Sequence, residues 1–345
     1  MKNEIQFLNA AKVITIFLVI YDHLSIPYEQ AVFINSFRMP LFFCISGYFI
    51  STRNYAWKDF IVRKLRTLIV PYFVFAVVSF LFWFLIGRKY GDDANTFPDI
   101  SKYLSGVFLA IPSKAYLGFN LPIWFLPALF STEMIFYAYR KYCYKYSWIA
   151  GICSFFIGML LKYLLPVRLP WGIDVAFFAV VFMQMGYFLK RKNLNDAFFS
   201  RIRLLYKLLI IVASGILTGF FSAINIGINR GVLVYALQFN NYLLFFAAAC
   251  TGIIFIFTLS SCIPAVKLLR FYGRNTIIIL GLHIIAYSVI KALLYYVFHI
   301  PLEVISENTY LKLLMAVGNF IVLAPVIYFV NRYIPRLLGR EKAVL

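Results

Sequence analysis

Ten apolar stretches, at about 8–26, 31–51, 67–87, 121–139, 147–165, 172–189, 206–224, 242–260, 276–296 and 311–331, follow one another along a chain of 345 residues. Each is close to the roughly 20 residues that an α-helix needs to cross about 30 Å of hydrocarbon. In that solvent every backbone N–H and C=O must find its partner inside the protein, so an isolated apolar run of this length crosses as a helix. The pattern predicts an all-α polytopic membrane protein of about ten transmembrane helices, a single integral-membrane domain over residues 1–345. The connections are too short to hold a soluble domain beside it. Charged residues make up 13% of the chain, about half their share in soluble domains. The first stretch carries Lys12, Asp22 and His23 and is followed by no small-residue cleavage site, so it is expected to be a retained span.

The formal charge is +20, which in a soluble chain would point to nucleic acid. Here the basic residues sit mostly between the apolar runs, and 22 of them fall on one set of alternating connections against 6 on the other. Such a bias sets orientation, so both termini are expected in the cytoplasm and no nucleic-acid partner is expected. The five cysteines show neither CxxC spacing nor a pairing pattern, which gives no support to a disulfide framework or a metal site. The longest connection, about 88–120, is expected outside, with an interfacial helix over Tyr103–Ile111. Gly215 and Gly219 form a GxxxG pair read as close helix packing within the bundle, with dimerisation as the sharper alternative.

Ionisable groups inside spans are costly and tend to face a cavity or a partner. Lys12, Asp22, His23, Arg38, Glu133 and His283 need such an explanation, whereas Lys162, Asp174 and Lys291 lie near span ends, where snorkelling explains them. Lys12 and His23 are eleven residues apart, which on a helix is three turns plus about 20° and a rise of roughly 16 Å. They share one face. Taken alone, His23 also fits an interfacial histidine bonded to a neighbour. Asp22 points about 100° away from His23 and is expected to pair with Arg38. Pro40 suits a first helical turn, which would start the second helix near Met39 and put Arg38 at its positive end; an arginine snorkelling outward is the plainer alternative. Arg63 and Arg66, three apart with Lys64 between them, are placed to clamp phosphate, or simply belong to a positive-inside loop.

Together these residues reach a family. Lys12-x10-His23, Arg38-Met39-Pro40-Leu41-Phe42-Phe43 with Ser46-Gly47-Tyr48, Arg63-x-x-Arg66, and Asn275 with His283 resemble the membrane-bound acyltransferase type 3 family. Leu121-Pro122-Ile123-Trp124-Phe125-Leu126 and Leu169-Pro170-Trp171-Gly172-Ile173-Asp174, leading to Gly186-Tyr187, resemble its fucose 4-O-acetylase branch. The resemblance follows the family's order along essentially the whole chain. It implies a ten-helix enzyme of the bacterial inner membrane that moves an acyl group, usually acetyl, from cytoplasmic acyl-CoA to a sugar hydroxyl at the outer face. His23 matches the family's essential histidine, Lys12 its basic partner, and Arg63 and Arg66 its donor-binding pair. One departure is Asn9, where the family carries an aspartate three residues before the basic residue. The chain ends soon after its tenth span, and no further soluble domain is expected.

The resulting expectation is an O-acyltransferase, in particular an O-acetyltransferase, with His23 as general base on the acceptor hydroxyl and Arg38 stabilising the oxyanion. An acyl-histidine intermediate is the alternative. Acetyl-CoA is the expected co-substrate, held by Arg63, Lys64 and Arg66, with Lys12 and His283 along the route of its pantetheine arm. Glu133 is expected either to orient or protonate His23 or to bond a tyrosine hydroxyl. The other partners are a glycan or lipid-linked sugar acceptor and membrane lipids; self-association stays open, and no metal is expected. The rival from another class is a carrier or exporter of a polysaccharide precursor.

Overall fold

The computed structural model describes residues 5–51, 56–90, 99–165, 167–226 and 231–340. Lys2, Arg53, the stretch Gly91 to Pro98, Arg230 and Lys342, which entered the charge and loop arguments, lie outside the described residues. Helix α1 runs Gln6–Asp22. It is followed by α2 (Tyr28–Phe49), α3 (Trp57–Tyr90), α4 (Lys114–Tyr142), α5 (Ser147–Leu164), α6 (Pro170–Arg191), α7 (Leu204–Ile224), α8 (Tyr242–Ser260), α9 (Thr276–Tyr296) and α10 (Thr309–Tyr333). Helices α2 to α10 are, among the described residues, the nine long and apolar enough to cross a membrane. Helix α1, at 17 residues, is one residue shorter than α5. No strand occurs among the described residues. The protein is an all-helical polytopic membrane protein.

Backbone contacts define two compact units, one holding the chain up to Ile50 with Val181–Thr276, the other Ser51–Val180 with the chain from Ile277 on. In the first unit, α1 has no cap from its own flank. The Asp196 carboxylate supplies one, accepting from the N–H groups of Gln6 at 2.7 Å and Phe7 at 2.9 Å, where an anion meets the positive end of the helix. Helices α2 and α6 meet at glycines: a Cβ on Gly47 would lie 1.9 Å from the Met183 carbonyl oxygen, and one on Gly186 only 1.8 Å from that of Cys44. With no aqueous driving force between helices, such close backbone approach is what holds them.

One expectation for this unit is corrected and another is narrowed. Helix α2 starts at Tyr28 and runs through Pro40, so Arg38 sits in mid-helix and draws nothing from a helix N-terminus. Proline removes one intrahelical bond, and the buried interior of a bundle tolerates this where neighbouring groups take up the freed carbonyl. Of the two α7 glycines only one faces a neighbour: a Cβ on Gly215 would lie 3.4 Å from the Phe255 ring of α8, whereas one on Gly219 would meet nothing within 4 Å. The buried residues of α7 are Ser214, Thr218 and Ser222, each four apart, and Thr218 Oγ1 donates to Thr251 Oγ1 on α8 at 3.0 Å.

In the second unit, α3 begins ten residues ahead of the apolar window because Phe60 is buried in a stack on Tyr137 of α4, ring centroids 4.2 Å apart. Two π-helical turns, Leu65–Ile69 and Trp83–Gly87, interrupt α3. The expected helix of the long connection is present as Ile100–Leu109, N-capped by Asp99. The hydroxyl and backbone bonds from Ser101 and Lys102 hold the Asp99 carboxyl below its ordinary range. Tyr72 of α3 fastens this helix by donating to the carbonyls of Gly106 and Val107, both at 3.1 Å. Helix α4 opens with a 3₁₀ stretch broken at Asn120. Buried Asn120 donates to Ser79 Oγ and to the Gly281 carbonyl, each at 2.8 Å. Asp174, expected as an interfacial group, is buried at the start of α6 and paired with Arg168 at 3.1 Å, since a carboxylate withdrawn from water needs a cation.

Candidate active site

At the C-terminal end of α1, His23 continues the helix as its cap residue, its N–H bonded to the carbonyls of Ile20 at 3.1 Å and Val19 at 3.4 Å. The helical register therefore holds from Lys12 to His23 and keeps the two on one face. His23 Nδ1 lies 2.6 Å from the Val19 carbonyl oxygen. A carbonyl only accepts, so Nδ1 carries the proton and the basic lone pair of the neutral ring is on Nε2. The imidazole is thus oriented by its own helix.

Asp22 and Arg38 form the expected ion pair, Nη2 to Oδ2 at 2.7 Å, with both side chains close to nine-tenths buried. Asn35, one turn before Arg38 on α2, donates to Asp22 Oδ1 at 3.0 Å. Both carboxylate oxygens are thereby occupied. Arg38 is different: its Nε and Nη1 are buried without a hydrogen-bond partner among the described residues. Tyr235, on the connection between α7 and α8, is held above its ordinary phenol range by burial, while Arg38 pulls it down and Asp22 pushes it up. The structure so brings Asp22, His23, Asn35, Arg38 and Tyr235 to one end of the first unit. Asn35 was legible in principle as a polar residue three before Arg38. Tyr235 has no local signal.

Lys12, expected beside His23 on the α1 face, has its ammonium 4.3 Å from the centroid of the Phe49 ring, a cation–π contact that accommodates a charge inside a span. Asn9, the family departure, packs its backbone against Gly273, whose Cβ would come within 2.9 Å of the Asn9 carbonyl oxygen.

In the second unit, Lys64 binds Glu133 with its ammonium 2.8 Å from each carboxylate oxygen. The sequence expectation tied Glu133 to His23 or a tyrosine and Lys64 to the donor. The two share a charge pair, because Glu133 is buried and a carboxylate there needs a cation. Arg63 and Arg66 are exposed. A π-helical turn starts at Leu65 between them, so their spacing follows that wider turn rather than a regular helix. His283 is buried in α9 with Nδ1 2.9 Å from the Leu280 carbonyl and 3.2 Å from that of Ile279, the same tautomer as His23. Lys312 of α10 is buried as well, a charge inside the tenth apolar window that the sequence reading passed over.

An all-helical chain with nine helices long and apolar enough to cross a membrane among its described residues, and with a nearly buried Asp22–Arg38 pair, defines the class: an integral membrane protein. Residues 5–331 match the acyltransferase domain of the type 3 acyltransferases, and the chain belongs to that family. It is accordingly a membrane acyltransferase. Neither the curated proteins nor the solved structures gave a match.

Proposed function

We propose that this acyltransferase is an O-acetyltransferase of the inner (plasma) membrane that acylates a sugar hydroxyl in a surface or exported glycan, with cytoplasmic acyl-CoA as donor, in the manner of the fucose 4-O-acetylase branch. The observation that carries the reading is Arg38. A buried N–H without a partner costs about 1–3 kcal/mol, and two such groups on one guanidinium, Nε and Nη1, are supported by an oxygen anion that arrives during the reaction. His23 Nε2 takes the proton of the acceptor hydroxyl, and it does so at the negative end of α1, where positive charge is favoured. Arg38, its third nitrogen held by Asp22 and that carboxylate in turn by Asn35, donates to the oxyanion with little reorganisation. Acyl-CoA supplies the activated thioester, whose C–S bond breaks as the ester C–O bond forms. The exposed Arg63 and Arg66 fit its phosphates, since guanidinium forms charge-assisted and often bidentate bonds to them.

The test is acylation of the host's glycans by variants in lipid nanodiscs, followed by mass spectrometry. We expect His23→Ala to lower transfer by about 10²–10⁴-fold and Arg38→Ala by about 10²–10³-fold. His299→Ala, in an exposed connection, should leave it unchanged. Undiminished acylation in the first two, with folded protein, sinks the assignment; glycan export without any acylation favours a carrier.

A further inference from the structure

Helix α10 ends at Tyr333, and the chain then makes a single 3₁₀ turn, Pro335–Leu338, closed by Gly339 in the left-handed region at φ +65°. The turn is seated on the π-helical segment Leu65–Ile69 of α3. A Cβ on Gly339 would come within 2.7 Å of Thr67 Cγ2 and 3.2 Å of the Arg66 carbonyl oxygen, so both the backbone conformation and the close approach require glycine. Leu338 is buried. Arg340 Nη1 donates to Oδ1 of Asn331, itself buried and bonded through Nδ2 to the Ile327 carbonyl at 2.9 Å.

This seat brings basic side chains together from two distant parts of the sequence. Arg340 follows the glycine that touches Arg66, and Arg336 is exposed on the same turn, as Arg63 and Arg66 are on α3. The nearby Lys64 is matched by Glu133. A firmly anchored turn that adds positive charge to the segment carrying Arg63 and Arg66 is suited to an anion with several charges.

We infer that the C-terminal turn completes the donor site, with Arg336 and Arg340 joining Arg63 and Arg66 around the phosphate groups of the acyl donor. This rests on the acyl-CoA reading above. The bond to Asn331 orients the plane of Arg340, and a bidentate grip on phosphate needs two of its five N–H donors. Phosphate could equally come from a lipid headgroup, and the experiment separates the two sources.

Binding of CoA to the purified full chain is measured in nanodiscs of phosphatidylcholine alone and of phosphatidylcholine with one-third (roughly) phosphatidylglycerol. The variants are Arg336→Ala, Arg340→Ala, Arg340→Lys and Gly339→Val, with Arg201→Ala as a control on another basic connection and thermal unfolding as the check on folding. We expect each alanine variant to weaken CoA binding about ten- to a hundredfold in both discs, Arg340→Lys to recover part of it, and Arg201→Ala to bind as wild type. Gly339→Val should lose binding if it folds; if it does not, the arginine variants decide. Unchanged CoA binding in Arg336→Ala and Arg340→Ala, while Arg63→Ala and Arg66→Ala weaken it, overturns the inference and leaves the donor reading standing. An effect confined to the anionic discs assigns the turn to lipid and also overturns it. A wild type that binds no CoA in either disc removes the donor reading and this inference with it.

Discussion

At the scale of single residues, the Asp22–Arg38 pair has two separable roles. Both side chains are nearly buried, so removing one partner strands a charge in a low-dielectric interior, at a cost of about 3–5 kcal/mol, whereas replacing both with neutral groups is often close to neutral. Arg38→Gln or Asp22→Asn alone should therefore lower thermal stability in detergent strongly, and the double variant should regain most of it. Acyl transfer should stay lost in the double variant, because the oxyanion donor we propose is gone. A double variant that recovers stability and activity together would make the pair purely structural. The pair itself was legible in the sequence, since two opposite charges in neighbouring spans have few other ways to lower their cost. The unpartnered Nε and Nη1 were not, because satisfaction of an individual N–H depends on every side chain packed around it.

At the scale of elements, helix contacts are decided by which small residue faces which backbone. Gly47 and Gly186 face each other's helices at distances no Cβ can share, whereas Gly219 faces open space. Gly47→Ala and Gly186→Ala should each destabilise the protein by at least the 1–3 kcal/mol typical of overpacking, read as a lower unfolding temperature of the solubilised protein. Gly219→Ala should be silent or slightly stabilising, as alanine is the better helix former. Equal behaviour of all three would refute the α2–α6 crossing. The apolar windows located these helices, though α3 and α4 begin ten and seven residues ahead of theirs, and the windows did not show the interruptions. Pro40 reads equally well as a first-turn or a mid-helix proline until neighbours show that the helix continues behind it, and the π-helical turns of α3 carry no composition of their own.

For the whole molecule, the segregation of basic residues predicts that both termini and the connection after α6 lie in the cytoplasm and the connection before α4 outside. In a variant with all five cysteines changed to serine, a cysteine at Arg201 should react with an impermeant reagent only after cell opening, and one at Lys114 in intact cells. Labelling of position 201 from outside would reverse the topology and with it the side of the membrane on which the proposed donor site of Arg63 and Arg66 lies. What the sequence determined alone was the solvent, the helical class, the approximate span positions and the residues too costly to be idle. Those follow from local length and polarity, which the hydrocarbon reads residue by residue. The tertiary structure alone decided that Lys64 answers Glu133, that Tyr235 joins Asp22 and Arg38, and that the turn at Gly339 sits on Arg66 and Thr67. These partners are 69 to 273 residues apart and share no common pattern, and only the simultaneous packing of several helices selects one such set from the many that the charges would permit.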